Sequence, residues 1–360
     1  MKKVLSVLLI LTMIVTVFSG CSSSVTPEET TNTEKVTEGA VQGSVSAAEQ
    51  SAEVIPIKIG VSSSAETLIG QAAQKWADLV NERLAGQVEV SVYPNELLGN
   101  NDTMMENMQG DLQQAIASTL DNYSQYCKDL NIMTMAFAFD NVDHLNAFLR
   151  SEVADGIWKD VYDAGFYILS FNFNRNPRCF ISKTPIYSMA DMKGIKWRVP
   201  SIAIYEKNFT TMGATPIVTS WNDLPYSLMT GLVDACETSW ELVYPNHLHE
   251  HAPYITLSEY AYAKESLAIN TQTWEKLTAE QQKVLHECAD EAAAFYNENV
   301  GLQWEEHKVK IVEEGGTIIT QDKFDRGSYT EAIAKYAQQL EKDGFWKTKG
   351  LYDYVRNLKY

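Results

Sequence analysis

The sequence has few cysteines and histidines and a shortage of positive charge. Its 360 residues include 29 Lys and Arg against 47 Asp and Glu, for a formal net charge of -18 at pH 7. Proteins that bind DNA or RNA neutralise phosphates with clustered Lys and Arg, so this balance argues against a nucleic-acid partner. The five cysteines form no C-x-x-C pair, which removes the sequence basis for a zinc ribbon or a thioredoxin-like site.

Motifs of common enzyme families are also absent, including G-x-S-x-G, H-E-x-x-H, the P-loop and G-x-G-x-x-G. One cluster, His247-Leu-His-Glu-His251, could offer ligands to a transition metal, but residues two apart lie on opposite sides of a helix. We interpret it as the solvated end of an element, and we expect His144, His286 and His307 at the surface or at its boundary with the core. The sequence therefore predicts no catalytic residue, no metal and no cofactor.

The N-terminus has the pattern of a secretory signal. Lys2 and Lys3 precede an apolar run from Val4 to Phe18, which is shorter than the roughly 20 residues of a spanning helix. The ending Phe18-Ser-Gly-Cys21 resembles a bacterial lipobox, in which the cysteine is lipidated and becomes the mature N-terminus. We expect a signal peptide at 1–20 and lipidation of Cys21, with palmitate in the anchor. The alternative is an ordinary signal peptide that leaves Cys21 as a free thiol.

Residues 22–56 lack the apolar side chains that folding needs. They contain no aromatic residue and carry six Glu against one Lys. Such a segment cannot bury enough apolar surface to form a core. We expect residues 21–54 to be a flexible linker that holds the folded part at the outer face of the cytoplasmic membrane, either in a periplasm or at the cell exterior.

The rest of the chain alternates strand and helix patterns. Ile55 to Val61 predicts a strand, Glu66 to Leu84 a helix, and the alternation of valines at 88, 90 and 92 a second strand. This βαβ unit indicates the α/β class. Further strands are predicted at 168–173, 196–199 and 215–218, and further helices at 102–109, 141–150 and 222–231.

One predicted helix is unusually long. Thr278 and Gln281 form a capping-box pattern, and no stop signal follows before Gly315-Gly316. A helix of this length would reach about 55 Å, enough to cross two domains. Gly301 leaves two consecutive helices as the alternative.

Arg198 is the most informative charged residue. It lies in the strand-like run Lys196-Trp-Arg-Val199, and a guanidinium in a buried strand must be paired. A bound carboxylate would suit the fork geometry of Arg. The alternatives are an exposed position or an internal Asp or Glu partner.

Several motifs surround Arg198. The most specific are Asp191-Met-Lys-Gly-Ile-Lys-Trp-Arg198-Val-Pro200, Gly213-Ala-Thr-Pro216, Trp221-Asn-Asp-Leu and Thr230-Gly-Leu-Val-Asp234-Ala-Cys-Glu237. Earlier parts of the chain add Val90-Ser-Val-Tyr-Pro94 followed by Leu98-Gly-Asn100. In type, order and spacing these motifs resemble the solute-binding proteins of TRAP transporters, and the resemblance covers residues 55–320.

The resemblance implies an α/β, two-domain periplasmic-binding-protein-like fold with a hinge and a long domain-spanning helix. The domains would comprise 55–175 plus 264–303 and 176–263 plus 304–360. They would close over a small organic acid and deliver it to an ion-gradient-driven membrane permease, without catalysis. A ligand-sensing lipoprotein serving a membrane receptor and an extracytoplasmic hydrolase are the alternatives.

The resemblance also implies a set of binding residues. Arg198 would hold the ligand carboxylate, Arg178 would be the second arginine, and Trp221 would pack on the ligand. Ser62, Asn101 and Ser118 would line the wall of the other domain.

The motif departs from the family at one position. Where the family usually has Gln-Glu-Asn-Pro, this chain has Cys236-Glu-Thr-Ser239, so Thr238 replaces an asparagine that commonly bonds the ligand. Glu237 is expected to position the backbone or an arginine, since a free carboxylate would repel an anion. Trp240 either widens the apolar wall or packs under the hinge.

Overall fold

The computed structural model describes residues 54–360, so the predicted signal peptide, Cys21 and residues 21–53 of the predicted linker lie outside the described part. Within 54–360, none of the helices combines the length and apolarity that crossing a membrane requires. The strands, numbered β1 to β11, are Ile55–Val61, Val88–Tyr93, Ala115–Thr119, Phe166–Asn174, Arg178–Ser182, Lys196–Val199, Thr215–Val218, Ala235–Ser239, Tyr254–Thr256, Lys264–Asn270 and Thr317–Ile319. The α-helices, numbered α1 to α11, are Leu68–Arg83, Asn101–Gln109, Val142–Leu149, Glu152–Asp163, Ala203–Thr211, Leu224–Thr230, Leu248–His251, Thr271–Lys276, Ala279–Glu313, Arg326–Lys342 and Leu351–Asn357.

The strands form two mixed sheets. The first sheet has the order β2-β1-β3-β10-β4, with β1 parallel to β2 and β3 and with β10 antiparallel to its neighbours. The second sheet has the order β11-β9-β5-β8-β6-β7. The chain passes between the sheets after β4, after β9 and again after β10, so each sheet combines two separate parts of the sequence. The predicted βαβ unit is present as β1-α1-β2.

The start of α1 shows how local sequence sets the geometry of the first sheet. Thr67 caps the helix, because its Oγ1 accepts a hydrogen bond from the Gly70 nitrogen at 3.3 Å. A Cβ at Gly70 would lie 2.3 Å from the Ser64 carbonyl oxygen, so only glycine fits against the loop after β1. The loop that follows β1 is thereby held close to the end of the strand.

The predicted long helix is present as α9, one uninterrupted helix of 35 residues, so the alternative of two helices divided at Gly301 is wrong. Its first turn has the predicted capping box, with Gln281 N to Thr278 Oγ1 at 3.2 Å and Thr278 N to Gln281 Oε1 at 2.9 Å. Up to Val300 its buried residues pack in the core of the first sheet, whereas Trp304 and Ile311 pack in that of the second sheet. The helix therefore joins both sheets.

Two histidines that we expected at the surface or at its boundary with the core are fully buried. His249 has 4% exposure, its Nε2 lies 2.7 Å from Glu314 Oε2, and its ring stacks on Tyr244. His144 has 1% exposure, with Nε2 2.8 Å from the Val355 carbonyl oxygen. The prediction was wrong because their partners come from distant parts of the chain. No group of three or more His, Cys, Asp or Glu suited to a metal occurs between residues 54 and 360.

The cysteines of the described part are structural side chains. All of them are buried free thiols, so none forms a disulfide: Cys127, Cys179, Cys236 and Cys288. Burial raises the pKa of each thiol, which keeps it protonated and unreactive.

Candidate functional site

A cavity lies between the two sheets, where β1, β3, β6 and β8 end. Carboxyl ends of strands are the usual place for ligands in α/β folds. The cavity contains about 590 Å³ of space between side chains, part of it open to solvent. It brings together residues predicted from the sequence and contributed by both sheets: Ser62, Asn101, Ser118, Arg178, Arg198, Trp221 and Thr238.

Arg198 lines this cavity without a counter-ion. Its exposure is 5%, and its Nε and Nη2 donate to the Thr219 carbonyl oxygen at 3.1 and 2.9 Å. The Trp221 ring centroid lies 5.7 Å from its Cζ, and no carboxylate of residues 54–360 forms a salt bridge with it. Burial lowers the pKa of Arg198, because desolvation penalises the charged form. Both sequence alternatives, an exposed position and an internal acidic partner, are therefore wrong.

Arg178 is held by Glu237 on the neighbouring strand. Its Nε donates to Glu237 Oε2 at 2.5 Å, and its Nη2 donates to Glu237 Oε1 at 2.8 Å. The Tyr260 hydroxyl also donates to Glu237 Oε2 at 2.5 Å. Glu237 is fully buried and does not line the cavity, so its place is behind the arginine, as the sequence led us to expect.

A third buried arginine, Arg175, also lines the cavity. Its Nε donates to Glu241 Oε1 at 3.1 Å, its Nη1 lies 3.2 Å from Glu265 Oε1, and its Nη2 is 3.5 Å from Thr238 Oγ1. Burial raises the pKa of Glu265 to about 7, and the charge of Arg175 opposes this increase. The sequence did not assign Arg175 to the site, because it lies outside the specific motifs and its partners are far away in the chain.

Of the three arginines that line the cavity, only Arg198 has no carboxylate partner in the described part of the chain. Arg175 and Arg178 face carboxylates, whereas Arg198 faces only carbonyl oxygen and an aromatic ring. A buried cation with unused donors is a strong site for an anion, because little water competes with the ligand. The cavity can therefore hold a carboxylate against Arg198.

Polar atoms of α2, of β3 and of the turn after β3 complete the cavity. Asn101 Oδ1 and Ser118 Oγ are buried without a hydrogen-bond partner in the described part. The carboxylate of Asp121, which the sequence had not indicated, also lines the cavity. Unsatisfied buried groups of this kind are rare in folded proteins unless a ligand or water meets them.

Trp240 is not part of the cavity wall. Its ring lies 5.3 Å from the ring of Trp304 on α9, and it is absent from the lining of the cavity. The alternative in which Trp240 widens the apolar wall is therefore wrong, and the ring packs against α9 instead.

Comparison with known proteins identifies the family. The model of the family described as "Bacterial extracellular solute-binding protein, family 7" matches residues 59–343. Over 252 residues, the chain is 26% identical to the C4-dicarboxylate-binding periplasmic protein DctP of Shewanella loihica, covering 70% of this chain and 74% of that relative. Over 272 residues, it is 25% identical to the 2,3-diketo-L-gulonate-binding periplasmic protein YiaO of Escherichia coli, covering 75% and 81%.

Solved structures confirm the predicted α/β fold. A TRAP periplasmic solute-binding protein of Shewanella oneidensis with bound succinate has a TM-score of 0.77 at 24% identity, covering 84% of this chain and 99% of that one. One from Xanthobacter autotrophicus with bound galacturonate has a TM-score of 0.76 at 23% identity, covering 83% and 97%. The likeness between the fold and these binding proteins agrees with the family match. The chain belongs to family 7 of the bacterial extracellular solute-binding proteins.

Proposed function

We propose that this protein captures a small organic acid through a salt bridge between its carboxylate and Arg198, and delivers it to the membrane permease of a TRAP transporter. The observation that carries the proposal is the buried Arg198 guanidinium, which faces the cavity without an acidic partner. Two relatives are named as binding proteins for C4-dicarboxylates and for 2,3-diketo-L-gulonate, which are organic acids. Their names therefore support an organic acid as the ligand.

The geometry explains how capture would work. The Arg198 Nη1 donates to no protein atom between residues 54 and 360, whereas Nε and Nη2 are fixed by the Thr219 carbonyl. The carboxylate would therefore meet a preoriented donor, which lowers the entropy cost of binding. Because the cavity has walls from both sheets, closing of the sheets over the ligand would exclude water and strengthen this pair.

The N-terminal sequence supports a location for the protein at the membrane. The pattern that ends at Cys21 supports a lipid-anchored protein on the outer face of the cytoplasmic membrane, and residues 21–54 would give the folded part reach toward a permease. Mass spectrometry of the N-terminal peptide from membranes should find a diacylglycerol-modified Cys21. An unmodified peptide that begins elsewhere would contradict the anchor and leave the binding function intact.

Thermal unfolding of purified protein lacking residues 1–21 tests the function. Ligand at 100 times its Kd stabilises the folded state by about 2.7 kcal/mol, so the right organic acid should raise the unfolding midpoint by several degrees. The panel should pair each carboxylic acid with its amide, which has the same shape and no charge. Stabilisation by an amide as large as that by its acid would contradict the carboxylate clamp.

Glu265 should make the affinity depend on pH. The charged and ionisable groups around it are Arg175, Arg178, Glu241 and Asp121, and its pKa is raised to about 7. As the pH falls through 7, Glu265 takes up a proton and the cavity loses one negative charge. We expect the affinity for an organic acid to be about three- to tenfold higher at pH 6 than at pH 8.

The Glu265→Gln variant is the control for this effect, because it keeps the shape of the side chain and removes its titration. Its affinity, measured by calorimetry, should stay nearly constant between pH 6 and pH 8. If the variant retains the full pH dependence of the wild type, another group titrates and the assignment to Glu265 is wrong.

A further inference from the structure

We propose that the cavity selects a hydroxylated monocarboxylate, because the wall formed by the first sheet presents a hydrogen-bond acceptor, Asp121, where a second carboxylate of a dicarboxylic acid would lie. This inference rests on the proposed function, since it assumes that one carboxylate occupies Arg198. It assigns to Asp121 the role of choosing between ligands of similar size.

Asp121 is placed to meet a ligand. It lies in the turn after β3, has 4% exposure and lines the cavity. Its Oδ2 accepts a hydrogen bond from the Tyr205 hydroxyl at 2.5 Å, which fixes the orientation of the carboxylate. Its Oδ1 is buried and has no donor in the described part of the chain. A buried carboxylate oxygen without a donor is costly, so a donor from the ligand is the natural partner.

The charges around the cavity disfavour a second carboxylate. Arg178 faces Glu237, and Arg175 faces Glu241 and Glu265, so their positive charges are already compensated. Once a carboxylate occupies Arg198, residues 54–360 offer no uncompensated cation in the lining of the cavity. A second carboxylate would instead meet the negative charge of Asp121, and such a juxtaposition selects against the wrong ligand.

A second acceptor indicates more than one hydroxyl on the ligand. Asn101 Oδ1, at the first residue of α2, is also buried without a partner and belongs to the same cavity. Asp121 and Asn101 thus present two acceptors from different elements. A ligand with two hydroxyls can donate to both, whereas an unsubstituted acid would leave both unsatisfied.

Matched pairs of acids test this selection by titration calorimetry on the mature protein. D-Gluconate and D-glucarate differ only in whether carbon 6 is a hydroxymethyl group or a carboxylate, and 4-hydroxybutanoate and succinate differ in the same way at carbon 4. We expect the hydroxyl acid of at least one pair to bind at least tenfold more tightly than its dicarboxylate. 4-Aminobutanoate is included to test an ammonium in place of the hydroxyl.

The variant Asp121→Asn should reverse the preference. Its amide oxygen can still accept from the Tyr205 hydroxyl, while its amide nitrogen now donates into the cavity. Affinity for the hydroxyl acid should fall about tenfold and affinity for the dicarboxylate should rise. Because a gain of affinity cannot come from misfolding, the result is informative even if the variant is less stable. The control variant Asp78→Asn removes an exposed carboxylate of α1. It should change neither the affinity for the hydroxyl acid nor that for the dicarboxylate.

The outcomes separate this inference from the proposed function. A dicarboxylate that binds more tightly than its hydroxyl partner, and loses binding in Arg198→Ala, would overturn the inference and leave the carboxylate clamp intact. Tightest binding of 4-aminobutanoate would overturn the assignment of a hydroxyl. If none of the five acids binds at millimolar concentration while another acid stabilises the protein through Arg198, this inference fails and the proposed function stands. If binding does not depend on Arg198, the proposed function fails and this inference fails with it.

Discussion

Replacement of Arg198 by Ala should lower the affinity for the organic acid by about 2 to 5 kcal/mol, or roughly 30-fold to several thousandfold. The variant loses the cavity arginine that lacks an acidic partner within residues 54–360, so the ligand carboxylate would be buried without a counter-ion. Calorimetric titration of the ligand that stabilises the wild type measures the change.

Stability without ligand provides the control for this variant. The Arg198 charge is desolvated and unpaired in the empty cavity, so its removal should leave the unfolding midpoint of the ligand-free protein unchanged or higher. Arg198→Lys keeps the positive charge but loses the planar guanidinium, which can bind a carboxylate through two donors. Its affinity should lie between those of the wild type and Arg198→Ala. An affinity of Arg198→Ala within threefold of the wild type would disprove the clamp.

Replacement of Glu237 by Ala should lower the free energy of unfolding by about 3 to 5 kcal/mol. The change leaves the buried guanidinium of Arg178 without its carboxylate and removes the acceptor of the Tyr260 hydroxyl. Both groups have little access to water, since the exposure of Arg178 is 6% and that of Tyr260 is 0%. Urea unfolding monitored by tryptophan fluorescence gives the free energy and its change.

Two further variants test whether the loss of stability comes from the unpaired charge of Arg178. The double replacement Arg178→Met with Glu237→Leu removes both charges and should recover most of the stability lost by Glu237→Ala. The exposed pair of Arg83 and Glu291, with an N–O distance of 2.7 Å, is the surface control. Glu291→Ala should lower the stability far less than Glu237→Ala, because solvent screens the pair. A double variant no more stable than Glu237→Ala alone would rule out this explanation.

The elements predicted from the sequence were those with strong local patterns. The strands at 196–199 and 215–218 have the predicted bounds, and the predicted helix at 102–109 begins one residue earlier, at Asn101. The capping box at Thr278 correctly marked the start of α9. In each of these segments, the residues that determine the structure are neighbours in the sequence, so periodicity and capping patterns are sufficient.

The charge partners in the cavity could not be predicted in this way. Arg175 depends on Glu241 and Glu265, and the orientation of Asp121 depends on Tyr205. These contacts join elements that are far apart in the chain, and no local pattern encodes them. The resemblance to a family placed residues at the cavity because it compared whole motifs, but it did not identify which arginine lacks an acidic partner.

The continuity of α9 has a mechanical consequence. Because one helix packs in the core of both sheets, a rotation between the sheets must either turn about the axis of α9 or bend it. Gly301 lies between the two packed regions, where a Cβ would meet no atom within 4 Å, and glycine has low intrinsic helix stability. We expect elastic bending to concentrate there, so that the stiffness of the helix limits how widely the cavity opens.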